Sequence, residues 1–172
     1  MDRYIFQKAM NEDIDEILIL IQKRIKWMDE NNISQWNKTN YLKYYPKNYY
    51  EELVSKGQLY VVKYGDLNSV IGAFALLEQD ECWNDSSQSY YIHNLVTDIG
   101  VSGIGATIIK FCEQIAIKHG KNKIRLDCQA SNHKLNEYYN GLGFEYVGMV
   151  QEGNYNGIKR EKKLNLFSGE YI

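Results

Sequence analysis

Apolar residues Ile14, Ile17, Leu18, Ile21, Ile25 and Met28 recur at three- and four-residue steps, the period of a helix that turns one stripe toward a core. Asn11 stands just ahead of them and reads as the helix cap, while Glu12 and Asp13 put negative charge where the helix dipole favours it. The pattern predicts a helix over residues 11 to about 31, with Trp27 beside the stripe, after a short strand at Tyr4–Lys8. Residues 32–48 show no period; they are aromatic and polar and hold the only proline, Pro46. A second short helix is expected near 49–56, ended by Gly57 because glycine tolerates the left-handed turn that closes a helix.

Two apolar runs, Leu59–Tyr64 and Val70–Leu77, are joined by Gly-Asp-Leu-Asn-Ser, which predicts an antiparallel hairpin. A polar, acidic loop over 78–89 leads to a strand at 90–97. The helical period returns at 103–119, where Ile104, Ile108, Ile109, Cys112, Ile115 and Ala116 share a side. A strand at 123–128 follows; a helix between two strands makes them parallel, in a right-handed crossover. A helix at 132–142 and strands at 145–150 and 159–167 complete the chain. The class is therefore α/β with a mixed sheet covered by helices, and no repeat, linker or low-complexity stretch divides residues 1–172 into more than one domain.

Composition narrows the function. The 172 residues are 44% hydrophobic and 24% charged, typical of a globular domain, and 20 basic against 22 acidic residues give a net charge of -2. No basic footprint for nucleic acid or a membrane surface exists, so a polyanion must be held locally. The first residues carry no secretory pattern, and the apolar cluster at 17–21 is too short to span a bilayer, so the expected location is the cytoplasm. Cys82, Cys112 and Cys128 are odd in number and widely spaced, and read as buried thiols rather than disulfides or a metal site. His119 and His133 have no metal partners at short spacing, so no metal is expected.

The stretch YYIHNLVTDIGVSGIGA has the form of a phosphate cradle: a strand enters a turn punctuated by Gly100, Gly103 and Gly105 and opens a helix. Glycines allow close backbone approach, and the helix N-terminus adds partial positive charge. A dinucleotide-binding unit, hence an oxidoreductase, is one alternative, since Asp127 lies near the end of the next strand. Its third glycine is replaced by Ile108, however, and the unit follows antiparallel strands. No Gly-Lys-Ser/Thr follows to make a P-loop.

The same turn resembles the coenzyme A motif of the GNAT superfamily of N-acetyltransferases, Q/R-x-x-G-x-G/A, with Gly103 and Gly105 at its glycine positions. Downstream, Asn132, Leu135, Tyr139, Gly143 and Phe144 stand close to the family's N-x-x-A-x-x-x-Y-x-x-x-G-F. The family's Gln or Arg falls on Gly100, so backbone amides, with Lys110 or Lys134, would have to compensate. The resemblance implies a central twisted mixed sheet of about seven strands flanked by four helices, and acetyl transfer from acetyl-coenzyme A to a primary amine of a small molecule or an exposed protein amine. A coenzyme A-binding sensor or scaffold without catalysis is the alternative that the missing basic residue raises.

On that resemblance, backbone groups of 94–97 pair with the pantetheine arm, and an amide near Leu95 or Val96 polarises the thioester carbonyl, with Thr97 in the same strand. The turn of Val101, Ser102, Gly103, Ile104, Gly105 and Ala106 holds the pyrophosphate, aided by the Thr107 hydroxyl, with Asn132 and Tyr139 also in the cofactor set. Tyr139 protonates the departing thiolate or, on the alternative reading, packs one face of its helix. His93 is the candidate base because its ordinary pKa of about 6.5 suits proton removal near neutrality, against a structural histidine. Glu78, Asp80 and Glu81, acting through water, and deprotonation without one essential base remain alternatives. Trp27, Trp36 and Tyr44, with Tyr45 and Tyr49, either wall an acceptor pocket suited to a cationic amine or pack a core. A homodimer is compatible with the sequence, which does not set the oligomeric state.

Overall fold

The computed structural model describes residues 4–65 and 67–166. Seven strands lie in the order β1-β2-β3-β4-β5-β7-β6, and the sheet is open. The chain divides into two units, one made from residues within 1–76 together with His93–Gly105, the other from Leu77–Ile92 together with residues from Ala106 onward.

In the first unit, β1 (Tyr4–Lys8) pairs antiparallel with β2 (Leu59–Tyr64), which pairs antiparallel with β3 (Val70–Leu77) as the hairpin predicts. Leu59, Val61, Val62, Ile71, Ala73, Phe74 and Ala75 are all buried, so both faces of this hairpin are covered and an unbroken apolar run replaces simple alternation. Helix α1 (Ile14–Glu30) buries Ile14, Ile17, Leu20, Ile21 and Met28, while Leu18 and Ile25 are half-buried, so the stripe is rotated toward Leu20 relative to the expected one.

Asn11 is not the cap. Residues Asn11–Asp13 form a 3-10 turn, and the Asp13 carboxylate accepts from the Met10 amide at 2.8 Å and pairs with Lys63 at 2.7 Å. Asp13 holds the N-cap position of α1 without a side-chain capping bond, because its buried carboxylate is taken by the Met10 amide and Lys63. The segment read as irregular contains a 3-10 turn at Trp36–Lys38 and a one-turn helix, α2 (Tyr41–Tyr44), so the helices exceed the four expected. Asn40 enters α2 at φ +53°, a conformation asparagine tolerates. Helix α3 (Lys47–Ser55) begins directly after Pro46, earlier than the expected residue 49, and is followed, past its cap Lys56, by Gly57, whose φ is +65°.

In the second unit, the first residues of β4 (Ser89–Thr97) pair parallel with β5 (Lys123–Gln129), as the crossover predicts, and α4 (Ile104–Lys118) is the crossover helix. Beyond β5 the sheet turns antiparallel: β5 pairs with β7 (Tyr155–Lys163), and β7 with the edge strand β6 (Glu145–Glu152). These are the neighbours of a mixed sheet, not of successive dinucleotide-binding repeats.

Strand β7 starts at Tyr155, not at residue 159, because Glu152 pairs with Tyr155 across a two-residue turn in which Gly153 takes φ +55°. Leu164–Leu166 lie outside it, and Phe167 falls outside the described residues. Its run Tyr-Asn-Gly-Ile-Lys-Arg-Glu-Lys-Lys hides the strand because the buried positions include charged Arg160 and Glu161. Helix α5 (His133–Gly141) follows its cap Asn132. All three cysteines are free, but Cys82 is only half-buried, correcting that expectation; its thiol donates to Glu152 at 3.0 Å. Among the described residues no helix is long and apolar enough to cross a membrane.

Candidate active site

Strand β4 changes character along its length. Its ladder with β5 takes in Ser89, Tyr90 and Tyr91, and His93–Thr97 lie beyond it. Asn94 then adopts φ +53° inside the strand, which reorients the amides that follow. Val96 is buried, and His93, Leu95 and Thr97 are half-buried. Arg24 of α1 secures the end of the strand, donating to the Thr97 carbonyl at 2.8 Å and to its hydroxyl at 3.2 Å, with its guanidinium over the Trp27 ring at 5.0 Å. Burial lowers the Arg24 pKa from its ordinary value, opposed by Asp98.

The glycine turn follows at once. The Asp98 amide donates to Ile71 at 2.8 Å and the Val101 amide to Asp98 at 3.3 Å. Gly103 has φ +82°, and a β-carbon there would meet no atom within 4 Å: the turn requires glycine for its conformation and leaves the space before α4 open. Gly100 also faces open space but has no positive φ, so its backbone does not demand glycine. Buried Ile104 anchors the start of α4, while Val101 is half-buried and Ser102 exposed. The amides of Ile104, Gly105 and Ala106 fall in the first helical turn, where the helix itself offers no carbonyl, followed by half-buried Thr107. Lys110 is exposed on α4, and Lys134 on α5.

Of the aromatic candidates, Trp36 stacks on Tyr41 at 4.3 Å, and the chain of rings continues to Tyr45 at 4.8 Å and Tyr49 at 4.9 Å. Tyr44 stays outside that stack, 71% exposed, and half-buried Trp27 belongs with Arg24. Tyr41, which the sequence does not single out, and Tyr49, expected only as a pocket or core aromatic, bond the Asn94 side chain, each at 2.7 Å. Burial raises the Tyr41 pKa well above its ordinary value. An asparagine in an apolar strand was the available signal, since asparagine is disfavoured in strands and tolerant of left-handed backbone. Arg24 gave none.

In the second unit the downstream motif is a capped and riveted helix. The Asn132 side chain accepts from the Leu135 amide at 3.1 Å. Buried Asn136 donates to the Asn132 carbonyl at 2.9 Å and the Gln129 carbonyl at 3.0 Å, and accepts from Arg160 at 3.2 Å. Gly143 closes the helix at φ +91°, and the Phe144 amide returns to the Tyr139 carbonyl at 3.0 Å. Tyr139 is only 8% exposed and packs edge-on against Phe144 at 5.7 Å; burial raises its phenol above the ordinary range. Tyr138 is 42% exposed.

The acidic loop candidates sit in different surroundings, and a carboxylate oxygen of Asp80 lies within 4.8 Å of one of Asp127. Glu78 is exposed and accepts from Tyr90 at 3.4 Å, Asp80 accepts from the Cys82 amide at 2.9 Å, and Glu81 is exposed. Exposed His119 bonds Tyr90 at 2.7 Å, and His133 is exposed at the start of α5.

The fold agrees with known proteins. The chain is 28% identical over 152 residues to the uncharacterized N-acetyltransferase YesJ of Bacillus subtilis, covering 84% of this chain and 83% of that protein. A GNAT-family acetyltransferase from Listeria monocytogenes superposes with a TM-score of 0.74 at 23% identity, covering 94% of this chain and 95% of the other. The PaiA N-acetyltransferase of Thermoplasma acidophilum, solved in complex with coenzyme A, gives 0.73 at 18% identity, covering 93% and 98%. The sequence profile described as the acetyltransferase (GNAT) family matches residues 21–144, well over half of the chain. With the glycine turn and the α5 motif both inside that span, the chain belongs to the GNAT family of acetyltransferases and is an acyltransferase of the N-acetyltransferase type.

Proposed function

We propose that this protein transfers the acetyl group of acetyl-coenzyme A to a primary amine, carried by a small molecule or exposed on a protein, as a single catalytic domain. The observation that carries this reading is the Gly103 turn: left-handed glycine backbone, open space beside it, and the amides of Ile104, Gly105 and Ala106 at the start of α4, where the helix itself supplies no carbonyl. Those amides fit a pyrophosphate without a basic side chain at position 100.

The amine lone pair attacks the thioester carbonyl, forming C–N, and the oxyanion takes hydrogen bonds from the Leu95 or Val96 amide. Collapse breaks C–S; the thiolate takes a proton from Tyr139, and the amine proton passes to His93 or to water. Thr97, Thr107 and Asn132 complete the proposed carrier set. The stack begun by Trp36, together with Trp27, offers aromatic faces to a cationic acceptor, while exposed Tyr44 contributes at its rim. Incubation with acetyl-coenzyme A and a panel of amines should release free thiol and yield acetylated product by mass spectrometry. No thiol release and no calorimetric binding of acetyl-coenzyme A would end this reading.

Substitution in the turn makes a sharper test. Gly103→Ala forces a side chain into left-handed backbone, so it should cost about 1–2 kcal/mol of stability and weaken coenzyme A binding. Gly100→Arg has room and no conformational demand, and should tighten binding several-fold at low salt, less so at high salt. Titration calorimetry of both variants checks the pair; tighter binding in Gly103→Ala would exclude the turn as the grip.

A further inference from the structure

We propose that Tyr41 and Tyr49 are positioning residues, which clamp the Asn94 side-chain amide from both ends and hold the kink in β4 that aims the Leu95 and Val96 amides. This role rests on the reading of β4 as the strand that holds the acyl carrier.

Four non-glycine residues among those described have positive φ. Asn32, Asn40 and Asn68 lie in turns or at a helix end, whereas Asn94 alone sits within a strand. Left-handed backbone at a strand interior breaks the alternation of amides and carbonyls, so it persists only where neighbouring contacts favour it. Here the favouring contacts are on the page. Asn94 Nδ2 donates to the Tyr41 hydroxyl, and Asn94 Oδ1 accepts from the Tyr49 hydroxyl, both at 2.7 Å.

Neither phenol is free to follow a moving strand. Tyr41 is 7% exposed and stacked on Trp36, and Tyr49 is wedged between Tyr45 and Tyr50, with ring centroids 4.9 and 5.2 Å away. A side-chain amide gripped at its donor end and its acceptor end has lost rotation about its own axis and translation along it. The kink is therefore referenced to α2 and α3, the helices that carry the aromatic stack, and the amides just after it inherit that reference.

The test uses the full chain. In the ligand-free protein, the Tyr41→Phe/Tyr49→Phe variant keeps the rings and loses both bonds, and should raise hydrogen exchange at the Leu95 and Val96 amides about tenfold, with β1 and β2 unchanged. Its affinity for acetyl-coenzyme A should fall about three- to tenfold while that for coenzyme A stays within about twofold, because only the acetyl carbonyl uses the aimed amide. Asn94→Gly permits the same backbone but gives the phenols nothing to hold, so it should match the double variant, and combining all three should add nothing. Unchanged exchange at Leu95 and Val96, equal loss for the two ligands, or additive effects would overturn the clamp. A parent protein that binds neither ligand would overturn the proposed function instead, with the exchange rates still deciding whether the clamp exists.

Discussion

A Tyr139→Phe variant is expected to bind acetyl-coenzyme A within about twofold of the parent and to turn over about 10²-fold more slowly, the loss that follows removal of a positioned general acid. The substitution is conservative for the fold. The ring contacts with Phe144 at 5.7 Å and Tyr138 at 5.5 Å survive, and only the hydroxyl goes. Burial raises the Tyr139 phenol above its ordinary value of 10.0, so the hydroxyl stays protonated across the neutral range. The sign follows: the group loses its proton only at still higher pH, and activity should show no falling limb from Tyr139 between about pH 7 and 10. Steady-state kinetics beside calorimetric titration separate the cases. Equal losses in turnover and affinity would remove the acid role and leave a packing tyrosine.

Replacing Arg125 by Met should lower the unfolding free energy by about 3–5 kcal/mol, measured by chemical denaturation, because it strands a buried carboxylate. The Arg125 side chain is 3% exposed and is held by Glu161 at 2.7 Å, by Asp85 at 2.7 Å and by the Tyr91 hydroxyl at 3.1 Å, with Trp83 over its guanidinium at 4.5 Å. Without it, Glu161, 10% exposed, loses its bonds of 2.7 and 2.8 Å to Arg125 and is left with the longer contact to the more exposed Lys123 at 3.3 Å. Adding Glu161→Gln should recover part of the loss, since the stranded charge is then gone. A single substitution costing under about 1 kcal/mol, or a double one costing the full sum, would show that the pair carries no such weight.

The same network makes the 78–88 loop acid-sensitive. The hydrogen bond from Arg125 lowers the Asp85 pKa from 3.8 to about 2 against the opposing effect of desolvation. A depressed carboxylate contributes above its unfolded value and is lost as pH falls, so the pinning of Asp85 should be complete above about pH 4 and fade toward pH 2. That dependence should be much weaker in Arg125→Met, where only the Ser87 amide and Lys123 still favour the Asp85 carboxylate.

How much of this was readable beforehand depended on the range of the interaction. The bounds of β2 and β3, the parallel step from β4 to β5, the end of α3 before Gly57 and the α5 motif follow from apolar period and glycine position, which are local signals. Strand β7 was displaced because its run is polar; its buried Arg160 and Glu161 find their partners through pairing with β5 and through Asn136 and Arg125. Helix α2 was missed for a related reason, as one helical turn carries too few residues to show a period.

The site divides the same way. The glycine turn announced itself, but Tyr41 and Tyr49 reach Asn94 across separations of 53 and 45 residues, and Arg24 reaches Thr97 across 73. By itself the chain determined most of its helices and strands, and that a glycine-punctuated turn opens α4, because those depend on neighbours within one turn of backbone. Only the tertiary structure decided that Asn94 takes left-handed backbone between two phenols and that Arg125 joins Asp85 to Glu161. Hydrogen bonds act over about 3 Å, and no periodicity in a sequence records which distant side chains folding brings within that reach.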